Sequence, residues 1–89
     1  MKPLTITVYN DPGHAWGAVK RSVLFDLGIL KDISPYSYQR GKTVYLEEDC
    51  DLFKLQKALE QRGVLYTFIE KYTDKRSPIR SYQSYGAQQ

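Results

Sequence analysis

The sequence predicts an α+β fold. Two helices should cover one face of an antiparallel or mixed sheet of four to five strands, in the order β-(β)-α-β-β-α-β. Three observations carry this. Runs of β-branched and aromatic residues alternate in the manner of strands. Two intervening stretches carry leucines at helical spacing. Clusters of Gly, Pro, Asn and Asp separate them. Two helices packed on one sheet is the layered solution for such a pattern, and the skeleton is that of the ferredoxin-like split motif with an added front strand.

Leu4 to Tyr9 reads as the first strand, with Leu4, Ile6 and Val8 toward the core and Thr5, Thr7 and Tyr9 opposite. Asn10-Asp11-Pro12-Gly13 turns the chain, and His14 to Val19 returns as a short strand with Trp16 and Ala18 on one face. Lys20 to Leu30 is expected as a helix that Ser22 caps, burying Val23, Leu24, Leu27 and Leu30. Gly28 there either weakens its interior or ends it. Tyr36 to Arg40 and Thr43 to Glu47 flank Gly41-Lys42, the form of a hairpin with a type II′ turn. Val44 and Leu46 should point inward. Leu52 to Arg62 is the second helix, buried through Leu52, Leu55, Ala58 and Leu59 and ended by Gly63. Val64 to Tyr72 is a further strand.

The domain is expected to span residues 1–72. Residues 73–89 form a polar, basic, tyrosine-containing tail, either laid along the body or mobile. With 89 residues, 42% of them hydrophobic, the chain supports one modest core. Its longest apolar run, Val23-Leu24-Phe25, is too short for a membrane span or a secretory segment. The single cysteine, Cys50, rules out a disulfide framework within the chain, and a reducing cytoplasm is the expected location.

Net charge is +3, unevenly placed. Residues 1–46 hold six Lys/Arg against three Asp/Glu, residues 47–70 three against six, and residues 71–89 four against one. The acidic run Glu47-Glu48-Asp49-Cys50-Asp51 has three readings: helix capping by Asp49 and Asp51, a divalent-cation site, or a face for a basic protein. It lacks the ligand pattern of an EF-hand loop. His14 and Cys50 are the one conceivable base–nucleophile pair, but the carboxylates around Cys50 disfavour its thiolate. No phosphate loop, zinc spacing or G-x-S-x-G element occurs. The reading is therefore of no enzyme, no catalytic residue, no cofactor and no metal.

The candidate binding surface joins Tyr36, Tyr38 and Arg40 with Lys75, Arg76, Arg80, Tyr82 and Tyr85. Arginine and tyrosine together suit a protein hot spot, a single-stranded nucleic acid, or ordinary packing. A tyrosine-rich strand edge leaves a homodimer open.

Four segments carry a resemblance: Gly13-His14-Ala15-Trp16, Ser37-Tyr38-Gln39-Arg40-Gly41, Tyr45-Leu46-Glu47-Glu48-Asp49-Cys50-Asp51 and Arg76-Ser77-Pro78-Ile79-Arg80-Ser81-Tyr82. Together they resemble small proteins carried by bacteriophages, prophages and plasmids, a group without assigned activity that transfers no catalytic residue. The resemblance implies a context. Such elements carry compact proteins, anti-CRISPR proteins among them, that block host defence machinery by contact alone. The expected partner is then a host protein or protein–nucleic acid complex, with direct nucleic-acid binding as the alternative and no role at a membrane.

Overall fold

The computed structural model describes residues 1–86, so residues 87–89 of the expected tail lie outside the described residues. Strand β1 (Leu4–Asn10) turns back into β2 (Ala15–Lys20), and helix α1 (Arg21–Asp26) leads to a 3-10 turn at Leu30–Asp32. The hairpin β3 (Tyr38–Arg40) and β4 (Thr43–Glu47) precedes helix α2 (Leu52–Gln61) and β5 (Tyr66–Tyr72). A second 3-10 turn (Pro78–Ser81) and β6 (Gln83–Ser84) follow. The sheet is mixed and has six strands rather than four to five, in the order β5-β1-β2-β4-β3-β6. β1 runs parallel to β5, and every other neighbour pair is antiparallel.

Setting β2 and the short β6 aside, the order β5-β1-β4-β3 is that of the split motif. β2 lies between β1 and β4 and pairs antiparallel with both, so those two strands run the same way. The front strand therefore keeps the motif's order and changes its directions.

One face of the sheet carries the main core. Ile6, Val8, Ala15, Val19, Val44 and Leu46 pack there with Leu24, Leu27, Leu52, Leu55 and Leu59 from the two helices. Gly17 shares that face, and a Cβ on it would meet Leu52 Cδ1 at 2.5 Å, so α2 approaches the sheet closely only over a glycine.

The first helix is shorter than its leucine spacing implies. It ends at Asp26 because Gly28, at φ +73°, takes the left-handed conformation. Gly28 N–H then donates to Phe25 C=O and Ile29 N–H to Leu24 C=O, the paired bonds of a Schellman ending. Gly63 ends α2 in the same way, through Gly63 to Glu60 and Val64 to Leu59. The cap assignments need correction. Lys20, not Ser22, stands at the start of α1, without a side-chain cap, and Asp51 occupies the cap position of α2 without capping it. The Asp51 carboxylate turns instead to the loop before β3. It accepts from Ser34 N–H at 3.1 Å, Ser34 Oγ at 2.7 Å, Ser37 Oγ and Lys54 Nζ at 3.0 Å.

Candidate functional site

The face opposite the helices is built by the other strand parity. β1 contributes Thr5, Thr7 and Tyr9, β2 Trp16, Ala18 and Lys20, β4 Thr43, Tyr45 and Glu47, β3 Tyr38 and Arg40, and β5 Lys71. The C-terminal segment crosses this face as a strap between the two sheet edges. It leaves β5 with Thr73 N–H donating to Asn10 C=O, buries Ile79, and ends as β6 against β3.

Asp11 fastens the strap. Its carboxylate receives Arg80 Nε at 2.6 Å and Nη2 at 2.8 Å, a two-pronged ion pair, and the backbone N–H groups of Ser77, Gly13 and His14 at 3.0 Å each. A Cβ at Gly13 would lie 2.8 Å from Arg80 Nη2, so glycine gives the guanidinium its room. The Arg80 bonds, joined by those of Ser77, His14 and Gly13 and opposed by burial, hold the Asp11 carboxyl far below the usual carboxylate range. Arg80 also lies over the Trp16 ring, 5.2 Å from its centre. Trp16 is 2% exposed, and its Nε1 has no hydrogen-bond partner among the described residues.

Since Trp16 is the sole tryptophan, its fluorescence reports the strap directly. Arg80→Ala should shift Trp16 emission to the red and open residues 76–85 to limited proteolysis. The depressed Asp11 carboxyl sets the pH course. A group with a lowered folded pKa contributes fully above its unfolded value, about 4, and loses that contribution only as pH falls through the folded one. Protection of residues 76–85 from limited proteolysis should therefore stay constant between pH 7 and about 4. A transition inside that window would show that the latch is something other than this pair.

Beside the latch, four side chains form a row. The Tyr9 and Tyr45 rings are 6.3 Å apart, Tyr45 and Tyr82 5.2 Å, and the Arg40 guanidinium sits 5.1 Å from the centre of Tyr82 while donating to its hydroxyl at 3.2 Å. Burial first, then Tyr82 and Tyr9, pushes the Tyr45 hydroxyl up, with Arg40 opposing, so that hydroxyl stays protonated at neutral pH. Two hollows of about 300 and 290 Å³ meet over this row and share Tyr9 and Tyr45 as a wall. The first reaches Thr5, Thr43 and Lys20, where β1 and β2 diverge. The second reaches Lys71, Ile79 and Tyr82 under the strap. Lys75 and Arg76 stand exposed on the strap.

The structure thus divides the eight expected contact residues. Arg40 and Tyr82 belong to the row, whereas Lys75 and Arg76 stand exposed on the strap, Arg76 beside Asp11 and Gly13 with its guanidinium donating to Ser81 Oγ at 3.3 Å. Arg80 is engaged by Asp11. Tyr38 is half-buried with its ring edge-on to Trp16, 6.2 Å away. Tyr85 packs against the helix-side core, donating its hydroxyl to Leu30 C=O. Tyr36, 71% exposed, stands in the loop before β3. Tyr9, Tyr45, Lys20 and Lys71 are additions. The strand alternation had already put Tyr9 and Tyr45 on the face away from the core, and that was the signal for them.

At the other end of the same face, His14, Glu47 and Asp49 each offer one ligand atom, all within 4.8 Å of one another, a set of nitrogen and oxygen donors that suits a divalent transition metal. The corner is ordered by its own bonds: Glu47 Oε1 accepts Asp49 N–H at 2.9 Å, and the Cys50 thiol bonds the same side chain. That bond first, then burial and the neighbouring carboxylates, pushes the Cys50 thiol up, which keeps the thiolate scarce. No hydrogen bond joins Cys50 to His14 among the described residues. The helix cap expected of this run is absent: Asp51 makes no side-chain cap bond to α2, and the Glu47 bond to the Asp49 N–H closes the turn before the helix.

No helix among the described residues is long and apolar enough to cross a membrane. Comparison with protein-family models, curated proteins and solved structures gives no match to this chain.

Proposed function

We propose that this chain is a non-enzymatic binding protein that grips single-stranded nucleic acid on the face of its sheet opposite the helices, beside the strap, either free or presented by a host protein–nucleic acid complex. The observation that carries the reading is the tyrosine row shared by two adjoining hollows, with Lys20, Lys71 and Arg40 on the same face. Bases stack on such rings, and phosphates meet such cations, without any need for sequence readout. The resemblance to proteins of mobile elements supports a host defence complex, such as a CRISPR effector, as the source of the strand, and steric block as the means.

The test is fluorescence anisotropy with a labelled single-stranded oligonucleotide over a salt series. If the five cations Lys20, Arg40, Lys71, Lys75 and Arg76 meet phosphates, log K should fall against log salt with a slope of about −2 to −3.5. Duplex should bind less well, since its rings are stacked internally. Binding that is absent at low salt, or indifferent to salt, would defeat the proposal.

A second reading, an inhibitor that touches only host protein, is favoured by Tyr36, a large aromatic ring left 71% exposed. It predicts capture of a host complex that survives nuclease treatment and is weakened by Tyr36→Ala.

A further inference from the structure

The sheet ends in two unlike edges. One is β6, two residues long; the other is β5, seven residues long. In a parallel pair, alternate residues of a strand turn both backbone groups to the same neighbour. Leu65 C=O accepts from Leu4 N–H, and Thr73 N–H donates to Asn10 C=O, so the odd-numbered residues of β5 face β1. Tyr66, Phe68, Glu70 and Tyr72 therefore turn their N–H and C=O groups outward, where no strand follows among the described residues. The β1 pairing runs unbroken from residue 66 to 72, so neither a bulge nor a proline blunts this edge. The side chains agree with the backbone. Leu65 is 75% and Tyr72 78% exposed, and Phe68 and Ile69 are also among the exposed large apolar and aromatic residues.

We propose that two copies of this chain pair antiparallel through β5, about a two-fold axis at Phe68, to form one sheet of twelve strands. The inference stands on the edge alone and does not rest on the nucleic-acid reading. A two-fold axis normal to the sheet keeps each face with its like and makes the contact self-complementary. The residues that face each other across the axis are then the outward-pointing ones, as a hydrogen-bonded antiparallel pair requires.

Side chains choose the register. An axis at Glu70 would set two glutamates opposite each other, and one at Ile69 would make them diagonal neighbours. With the axis at Phe68, that ring meets its own copy, Ile69 meets Thr67 of the second copy, and Glu70 meets Tyr66 of the second copy. The like charges are then well apart. A contact confined to one seven-residue strand belongs with the small interfaces, below about 1,200 Å², so the dimer should form with rising concentration. Its two strap-bearing faces would lie on the same side of the joined sheet.

Sedimentation of the full chain over roughly 1–500 µM tests this, a range that spans weak association. The mass should rise from 10.3 kDa toward twice that value. Phe68→Lys sets two cations opposite each other at the axis and should hold the chain monomeric. Glu70→Pro removes an outward N–H while leaving the bonds to β1, so it should also stay monomeric, with an unchanged circular dichroism spectrum and Trp16 emission. A wild type of constant 10.3 kDa would leave the edge to some other protein's strand and overturn the proposal. So would association beyond two copies, or folded variants that dimerise like the wild type.

Discussion

Asp51→Ala should lower the unfolding free energy by about 3 kcal/mol, the largest stability effect expected of a single substitution outside the apolar core. The carboxylate is fully buried and takes bonds from the Ser34 backbone, two serine hydroxyls and Lys54. Ser37 extends the arrangement, because its hydroxyl donates to Asp51 and accepts the Glu47 N–H at 3.0 Å. One side chain thereby ties the start of α2, the loop before β3 and the end of β4. Removing it strands two hydroxyls and an N–H inside the protein. Lys54 suffers less, since it is half-exposed and also donates to Asp32 C=O at 2.7 Å.

Thermal unfolding should fall by roughly 10–20 °C, given the sensitivity of domains this small. Ser37→Ala should lose about 1 kcal/mol, because it removes one hydroxyl's bonds and leaves the carboxylate its other partners. Burial raises the Asp51 pKa, but the bonds from Ser37, Ser34 and Lys54 outweigh it and keep the group below its ordinary value. A depressed folded pKa means the contribution is complete above about pH 4 and fades as pH falls through the folded value. The difference between wild type and Asp51→Ala should therefore be flat from pH 7 to about 4 and narrow below it. A variant as stable as the wild type at pH 7 would show that the hub holds nothing together.

Asp51 also marks where sequence reasoning stops. An aspartate before a leucine-patterned helix is written like a cap, and only the three-dimensional approach of Ser34, seventeen residues earlier, diverts its carboxylate. Features with local causes were legible. Alternation gave the two faces of β1 and β4, Gly41 at φ +58° gave the hairpin turn, and Gly63 gave the end of α2. Features that join distant segments were not. The parallel union of β5 with β1 requires α2 to carry the chain back across the sheet, and the Asp11–Arg80 latch spans 69 positions. The candidate site divides on the same line. Composition pointed to Arg40 and Tyr82, while Tyr9 and Tyr45 join them only because β2 brings β1 and β4 into one surface. Tyr85, identical in type to Tyr82, belongs to the helix side because it lies an odd number of positions further along.

On the binding side, the largest single effect should come from Tyr45→Ala, which should weaken single-stranded oligonucleotide binding by roughly ten- to a hundredfold at low salt. Tyr45 stands between Tyr9 and Tyr82 and walls both hollows, so its loss breaks the stacking row at its centre. Tyr45→Phe keeps the ring and should stay within about twofold of the wild type, since base stacking uses the π face rather than the hydroxyl. Arg40→Ala should act differently. In the proposed complex it would remove one phosphate contact, so affinity should fall for every sequence and the salt slope should shrink by about 1. Because Tyr82 packs on Tyr45, a loosened strap is the competing cause of a binding loss, and Trp16 emission separates the two causes. Arg80 covers Trp16 through the Asp11 latch, not through Tyr45, so Tyr45→Ala should leave the emission in place while binding drops. Wild-type affinity in Tyr45→Ala, with the emission unchanged, would mean that the tyrosine row is packing for the strap and that no strand lies along it.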